Sequence, residues 1–214
     1  DDDRPFASNG NYAAGQAAGS AALVAIAGDG TICIYTLASA HLIVDVSGWI
    51  ATDGAPIGSR FNPVSPDRLL DTRDSSILQG GTELELPIPG RKGVPSSGVS
   101  AATLNLTVTE PTGPGFLTAY PCGQDRPTVS NVNYAPGQTV ANLATVKLGT
   151  GGRICIYALT TTHVIADVAG WYGDAGAPTG SVVTPVAPER NLDSRVGIGA
   201  PSGPLPANGE LQLI

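Results

Sequence analysis

The chain has 214 residues, enough for one large or two small domains, and 42% of them are hydrophobic while only 14% are charged. Its formal net charge of −7 argues against nucleic acid as a partner, because a phosphate backbone requires a basic face. No apolar run approaches the roughly 18 residues of a membrane-spanning helix, so no membrane span is expected.

Short alternating segments predict strands along the whole chain. In chain order they include "SAALVAI" (20–26), "ICIY" (32–35), "TELEL" (82–86), "TLNLTVT" (103–109) and "NLATVKL" (142–148). In "TLNLTVT" every second residue is apolar, which is typical of a half-buried strand. Turn formers such as Gly, Pro, Asn and Asp separate the segments, and no stretch has a sustained helical period. We therefore expect an all-β protein.

Much of the chain is written twice, with an offset of 122 residues. "TICIYTLASAHLIVDVSGW" (31–49) returns as "RICIYALTTTHVIADVAGW" (153–171), and "PVSPDRLLDTR" (63–73) returns as "PVAPERNLDSR" (185–195). A repeat of this length is the size of a domain. It predicts tandem antiparallel domains, each a β-sandwich or barrel-like unit with about seven or eight strands.

The repeat divides the chain into one complete unit and two partial ones. Residues 1–54 are the C-terminal part of one repeat, 59–174 a complete repeat, and 181–214 the N-terminal part of the next. We expect the chain to be an excerpt from a longer repetitive protein, or its partial units to be completed by strands of neighbouring subunits. An alternative phase makes 1–88 and 123–214 equivalent and joined by 89–122.

The three cysteines follow the same repeat. Cys33 and Cys155 are equivalent, and the counterpart of Cys122 would fall immediately before Asp1. The sequence therefore predicts a Cys122–Cys155 disulfide that closes a loop of about 33 residues, with the partner of Cys33 absent from the chain. The alternative is three buried thiols. A disulfide indicates an oxidising compartment and hence a secreted protein.

The two histidines carry little catalytic signal. His41 and His163 are equivalent, and an aspartate follows each of them four residues later. On a strand, such residues share a face but stand about 13 Å apart. No nucleophile motif, CxxC motif or Cys/His cluster accompanies them. We expect no catalytic residue, no metal and no cofactor, and the protein is predicted not to be an enzyme.

Arginine and aspartate cluster in "RLLDTR" and its copy, in a chain otherwise poor in charge. This favours ion pairs that tie loops together, with an anionic-ligand or sugar site as the alternative. The residues concerned are Arg68, Asp71, Arg73, Arg190, Asp193 and Arg195, with Asp45 and Asp167 as further partners.

The motifs "SNGNY" and "SNVNY" combine asparagine with an aromatic residue near a turn. Asparagine at such positions usually bonds the local backbone, but beside an aromatic ring it also suits sugars. The candidate glycan-binding residues are Asn9, Asn11, Tyr12, Asn131, Asn133 and Tyr134.

The succession "RLLDTR", "LNLTVT", "GFLTAYPCG", "SNVNY", "ICIY" and "DVAGW" resembles repeats of about 120 residues in secreted, surface-associated proteins of actinobacteria. The resemblance covers the complete unit once and the partial units in part. It implies an extracellular location at the cell surface and a structural, adhesive or wall-binding role, sometimes beside a cell-wall hydrolase, without a catalytic residue.

Two functions follow from this reading. The first is a non-enzymatic structural or adhesive repeat protein that assembles linearly, with itself or with neighbouring repeats as partner. The second is a carbohydrate- or cell-wall-binding accessory module of a secreted hydrolase, with glycans as partner.

Overall fold

The computed structural model describes residues 8–50, 59–174, 180, 192 and 194–206. The described residues contain eight strands and no α-helix, so the prediction of an all-β protein is confirmed. The strands are β1 (Phe61–Asp71), β2 (Thr82–Pro87), β3 (Val99–Thr109), β4 (Gly115–Pro121), β5 (Val132–Tyr134), β6 (Val140–Lys147), β7 (Arg153–Ala158) and β8 (His163–Gly173). Two single-turn 3-10 helices cover Thr72–Asp74 and Thr150–Gly152.

The eight strands form two antiparallel four-stranded sheets. The first has the order β1-β8-β3-β6 and the second the order β2-β7-β4-β5. Strand β3 therefore lies between β8 and β6, and β4 lies between β7 and β5. These two strands connect each sheet internally, because without them β6 and β5 have no neighbour to bond.

The alternation in the sequence explains how the sheets face each other. In β3 the apolar residues Leu104, Leu106 and Val108 are fully buried, as the "TLNLTVT" pattern predicts. In β6 Ala144 and Val146 are buried on the core side while Lys147 is exposed. Together with inward residues of the other strands they form one apolar core between the sheets.

Buried polar groups in the core are satisfied by hydrogen bonds. The fully buried Thr162 hydroxyl donates to the carbonyl of Thr109 at 3.0 Å. The fully buried Thr118 hydroxyl likewise donates to the carbonyl of Val129 at 2.6 Å. These threonines lock turn and loop backbone onto the sheets, since an unsatisfied buried group would cost about 1–3 kcal/mol.

The two ends of the sandwich lie side by side. Strands β1 and β8 are antiparallel, and Phe61 is paired with Tyr172, with their ring centroids 5.1 Å apart. The amide of Gly173 donates to the carbonyl of Arg60 at 3.1 Å. The Phe61 ring covers Gly170, where a Cβ would lie 2.3 Å from it. The last residues of the sandwich are therefore in contact with its first.

The strands predicted in residues 8–50 are not formed. None of these described residues belongs to a strand, although their counterparts 130–172 carry β5 to β8. The physical reason is that β pairing is non-local, and the β1–β4 half (61–121) is already bonded to the downstream copy. We call residues 8–50 the N-terminal half-repeat.

The chain divides into two units. Asp1–Asn9, Ala22–Tyr35 and Pro185–Ile214 form one, and Gly10–Ala21 with Thr36–Thr184 forms the other. The second unit contains all eight described strands, whereas the described residues of the first contain none. The tandem arrangement of β domains thus stays a prediction.

Candidate functional site

A disulfide joins Cys122, just after β4, to Cys155 in β7, with a sequence separation of 33. Both residues are buried in a small cluster on the outer face of the second sheet, together with Tyr120 and Tyr157. The guanidinium of Arg126 lies 3.6 Å from the ring centroid of Tyr157 and covers this cluster from the loop after β4. Cys33 is an exposed free thiol.

The disulfide cluster includes one perturbed tyrosine. The hydroxyl of Tyr120 donates to the carboxylate of Glu83 across the sheet. Burial of the ring and, second, this hydrogen bond raise the pKa of Tyr120 to about 12. Tyr120 is therefore neutral at physiological pH and acts as a hydrogen-bond donor.

The predicted cluster of charges in "RLLDTR" is present on the first sheet. Asp71, whose side chain is only 7% exposed, pairs with Arg73 at 2.6 Å and with Arg68 at 3.0 Å. Arg68 also reaches across to Asp167 on β8 at 2.9 Å. The hydrogen bond from the Arg73 side chain holds the pKa of Asp71 well below its usual range. The cluster fixes the end of β1 on β8.

The other predicted ion-pair residues do not form such a cluster in the described structure. Asp45, the counterpart of Asp167, has no ion-pair partner among the described residues, because the strand that carries Arg68 is paired with β8. Arg190 and Asp193 lie outside the described residues, so the second cluster around Arg195 stays a prediction.

His163 is held by a residue that the sequence analysis did not single out. Its Nδ1 lies 3.1 Å from the hydroxyl of Thr72, and that hydroxyl accepts the amide of Val164 at 2.8 Å. Thr72 is buried between β1 and β8. Asp167, four residues along β8, bonds Arg68 instead of the histidine. The arrangement is that of a structural histidine, and the only signal for Thr72 was its place in the repeated "DTR/DSR" motif.

A shallow cleft of about 560 Å³ lies beside the ion-pair cluster. Its polar groups come from Asp67, Arg68, Asn105 and Asp167. The Asn105 side chain makes no hydrogen bond within the described part of the chain, whereas Arg68 and Asp167 are bonded to each other. The cleft therefore offers an amide and the outer edges of an ion pair to a polar ligand.

The "SNVNY" motif of the complete repeat is largely structural. The side-chain oxygen of Asn131 accepts the amide of Ala119 at 2.7 Å. Tyr134 is buried, and its hydroxyl lies 3.3 Å from the carbonyl of Thr160. Asn142, which the sequence analysis did not select, donates to the carbonyl of Asn131 at 2.7 Å. Asn131 and Tyr134, two of the six candidate glycan-binding residues, thus form hydrogen bonds within the sandwich.

The remaining members of the motifs meet at a second, smaller pocket. Asn11 and Asn133 both line a pocket of about 160 Å³ with Gln16 and Asn142. Tyr12 does not line it; its hydroxyl bonds Thr36 and the carbonyl of Ala38. Asn9 makes contacts of its own in the described structure. The two asparagines are equivalent in the repeat, yet the pocket is too small for more than a few atoms of ligand.

The N-terminal half-repeat leaves apolar side chains exposed whose counterparts are core residues. Ile34 is 53% exposed and Val46 82%, whereas the equivalent Ile156 and Val168 are fully buried. Trp49 is 81% exposed, and its counterpart Trp171 packs against the core. Exposure of apolar residues whose copies form a core is evidence for surface that a partner can cover.

The same half-repeat keeps the turns of the folded copy. The amide of Ala27 donates to the carbonyl of Thr31 at 3.0 Å, as Gly149 does to Arg153 at 2.9 Å. The bond from Gln16 to Ala13 at 3.1 Å likewise matches the one from Gln138 to Ala135. The contact between the Tyr12 hydroxyl and Ala38 corresponds to that between Tyr134 and Thr160. The half-repeat thus keeps three turn or loop contacts of the folded copy, although it forms no strand.

Among the described residues, the one group of potential metal ligands includes the disulfide. Atoms of Glu85, Cys122 and Cys155 lie within 4.8 Å of one another, but the two sulfurs are joined and offer no thiolate. Among the described residues there is no helix with the length and hydropathy that crossing a membrane requires.

No family model matches the chain, and no curated protein matches it either.

Proposed function

We propose that the chain is a non-enzymatic, extracellular structural or adhesive repeat protein, which assembles linearly when partial repeats are completed by strands of a neighbour. The observation that carries this proposal is the N-terminal half-repeat, which exposes Ile34 and Val46 where the folded copy buries Ile156 and Val168. Strand addition to such a half is a known mode of protein association.

The sheet order restricts how completion can occur. The C-terminal partial copy, 181–214, matches β1 and β2 in sequence but contains no counterpart of β3 or β4. Because β3 and β4 connect the other strands of each sheet, joining the two partial copies end to end would leave a gap in both sheets. Residues 181–214 alone therefore cannot complete the N-terminal half-repeat, because strands equivalent to β3 and β4 are also required.

An extracellular location fits the chemistry of the chain. A disulfide closed over a buried tyrosine cluster is stable in an oxidising compartment and rare in the cytosol. The carboxylates of Asp71 and Asp167, which are largely buried, serve ion pairs within the fold. This supports a scaffold more than an enzyme.

The assembly is tested by sedimentation and negative-stain electron microscopy of the oxidised chain over a range of concentrations. We expect linear oligomers that are lost in Ile34→Lys or Val46→Lys. Leu37→Lys is the matched control, because Leu37 and its counterpart Leu159 are both exposed, so the control should still assemble. A chain that stays monomeric throughout would overturn the proposal.

The second candidate is a carbohydrate- or wall-binding module, favoured by the polar cleft at Arg68 and Asn105. A polysaccharide pull-down with wild type and Asn105→Ala tests it. Binding that Asn105→Ala weakens supports the module, and wild type that retains no glycan contradicts it. The matched control Thr107→Ala changes β3 two residues away, outside the residues that line the cleft.

A further inference from the structure

The N-terminal half-repeat duplicates the half of the sandwich that contains β5–β8, and we infer that its partner is the β1–β4 half of the same chain. Residues 59–174 and residues 8–122 are then two versions of one sandwich that share β1–β4. The second version is a circular permutant of the first. This inference rests on strand completion as the role of the half-repeat, as proposed above, and it names strands of the same chain that can supply it.

The N-terminal half-repeat already carries the apolar residues and turns that pairing with β1–β4 requires. The exposed Ile34 and Val46 are the counterparts of Ile156 and Val168, which face the core that β1–β4 complete. The turns between the future strands have the geometry of the folded copy, as the bond from Ala27 to Thr31 indicates. The half-repeat thus already has turns of the folded copy, and its strands would form on the partner strands.

The chain connection permits the permuted sandwich. In the folded copy β8 ends at Gly173, whose amide bonds Arg60 immediately before β1. The counterpart of Gly173 is Ala51, which precedes Arg60 by nine residues. An extended segment of that length reaches roughly 30 Å, far more than a connection between adjacent strands needs. Permutation is tolerated where chain ends lie together in this way.

One substitution between the copies disfavours the permuted form. The folded copy has Gly149 beside the backbone of Cys122, where a Cβ would lie 2.1 Å from the carbonyl oxygen. The N-terminal half-repeat has Ala27 at this position, so its turn must shift before it can dock on β4. The methyl group thus acts against pairing with this particular strand end.

Two further differences remove core contacts. Val132, which is buried, corresponds to Gly10, and the buried Thr162 corresponds to Ala40. The permuted sandwich would lack the valine side chain and the hydrogen bond that Thr162 donates to Thr109. These losses explain why β1–β4 are bonded to the downstream copy, and they define which changes should shift the balance.

Cysteine pairing reports which copy is docked. In the permuted sandwich Cys33 takes the position of Cys155 and meets Cys122. A Cys33–Cys122 disulfide within one chain is therefore the signature of the exchange. In the wild-type chain the Cys33 thiolate attacks the Cys122 sulfur and releases the Cys155 thiolate, so the exchange needs no net oxidant. In Cys155→Ala, glutathione disulfide is the oxidant and is reduced to two glutathione thiols as the Cys33–Cys122 bond forms.

The test uses the full chain with Cys155→Ala, oxidised in a glutathione buffer at low concentration. We expect peptide mapping to give mainly an intrachain Cys33–Cys122 bond. Hydrogen exchange should then be slow in 20–50 and fast in 142–173. Adding Ala27→Gly should raise the rate of bond formation several-fold. The control Ala14→Gly, whose counterpart Pro136 is exposed, should not change the rate.

A second measurement covers the case in which Cys155→Ala does not fold. The wild-type chain in the same buffer should contain a minor Cys33–Cys122 species, and Ala27→Gly should increase its fraction several-fold. Thiols that stay free, a bond without protection of 20–50, or a bond found only between two chains would each overturn the inference. Linear oligomers with no such intrachain bond would refute this inference alone, whereas a monomer with the bond would refute the proposed assembly.

Discussion

Removal of the disulfide in Cys122→Ala/Cys155→Ala should destabilise the sandwich without unfolding it. The bond closes a loop of 33 residues, for which the chain-entropy relation gives about 4 kcal/mol at 25 °C. Unfolding a domain of about 110 residues has an entropy of roughly 230 cal/mol/K near its melting temperature. Dividing this loss of free energy by the unfolding entropy predicts a fall in Tm of about 17 °C.

Thermal unfolding followed by far-ultraviolet circular dichroism measures this shift at neutral pH. Cys33→Ala is the matched control, because Cys33 is an exposed free thiol and its replacement should leave Tm within about a degree of wild type. A fall of less than about 5 °C in the double variant would refute the reasoning, since the disulfide would then constrain the unfolded chain far less than its loop length requires.

Three further predictions concern single residues of the sandwich. Because the pKa of Tyr120 is raised to about 12, ionisation of this group lowers the free energy of unfolding only as pH rises from about 10 to 12. In Tyr120→Phe the free energy of unfolding, measured with urea, should therefore depend less on pH in that window. The depressed pKa of Asp71 contributes stability above about pH 4 that is lost as pH falls further. Asp71→Asn should therefore be less stable than wild type at pH 7, and its stability should fall less in acid. Urea-measured stabilities of the two proteins that change in parallel with pH would contradict this. Gly170→Ala should cost about 1–3 kcal/mol in urea unfolding because the ring over it must move, and Gly28→Ala, where nothing lies within 4 Å, should cost less.

The local pattern of the sequence predicted the strands that have partners. Alternation in "TLNLTVT" identified Leu104, Leu106 and Val108 as inward residues of β3, and all three are fully buried. The pairing of Cys122 with Cys155 followed from the offset between the copies, since the offset leaves Cys33 without a counterpart to Cys122. Both inferences need only short-range periodicity or a comparison of the chain with itself.

What the sequence could not predict depends on pairing between distant residues. "SAALVAI" has the same alternation as "NLATVKL", yet only the latter lies in a strand. The reason is that this edge of β3 can pair with one strand, and it is occupied by β6. The buried Thr72 and the half-buried Asn142 were missed because their hydrogen bonds reach the distant His163 and Asn131. Nor does a string of motifs reveal that β3 and β4 hold the interior positions of the sheets.

Hydrogen–deuterium exchange of the N-terminal half-repeat tests the central claim most directly. Amide protection in 20–50 is compared with that in 142–173, first at a concentration where the chain is monomeric and then at one where it associates. We predict fast exchange in 20–50 in the monomer and slow exchange on association, approaching the protection of 142–173. Oligomers in which 20–50 still exchange fast would contradict completion of the half-repeat by partner strands.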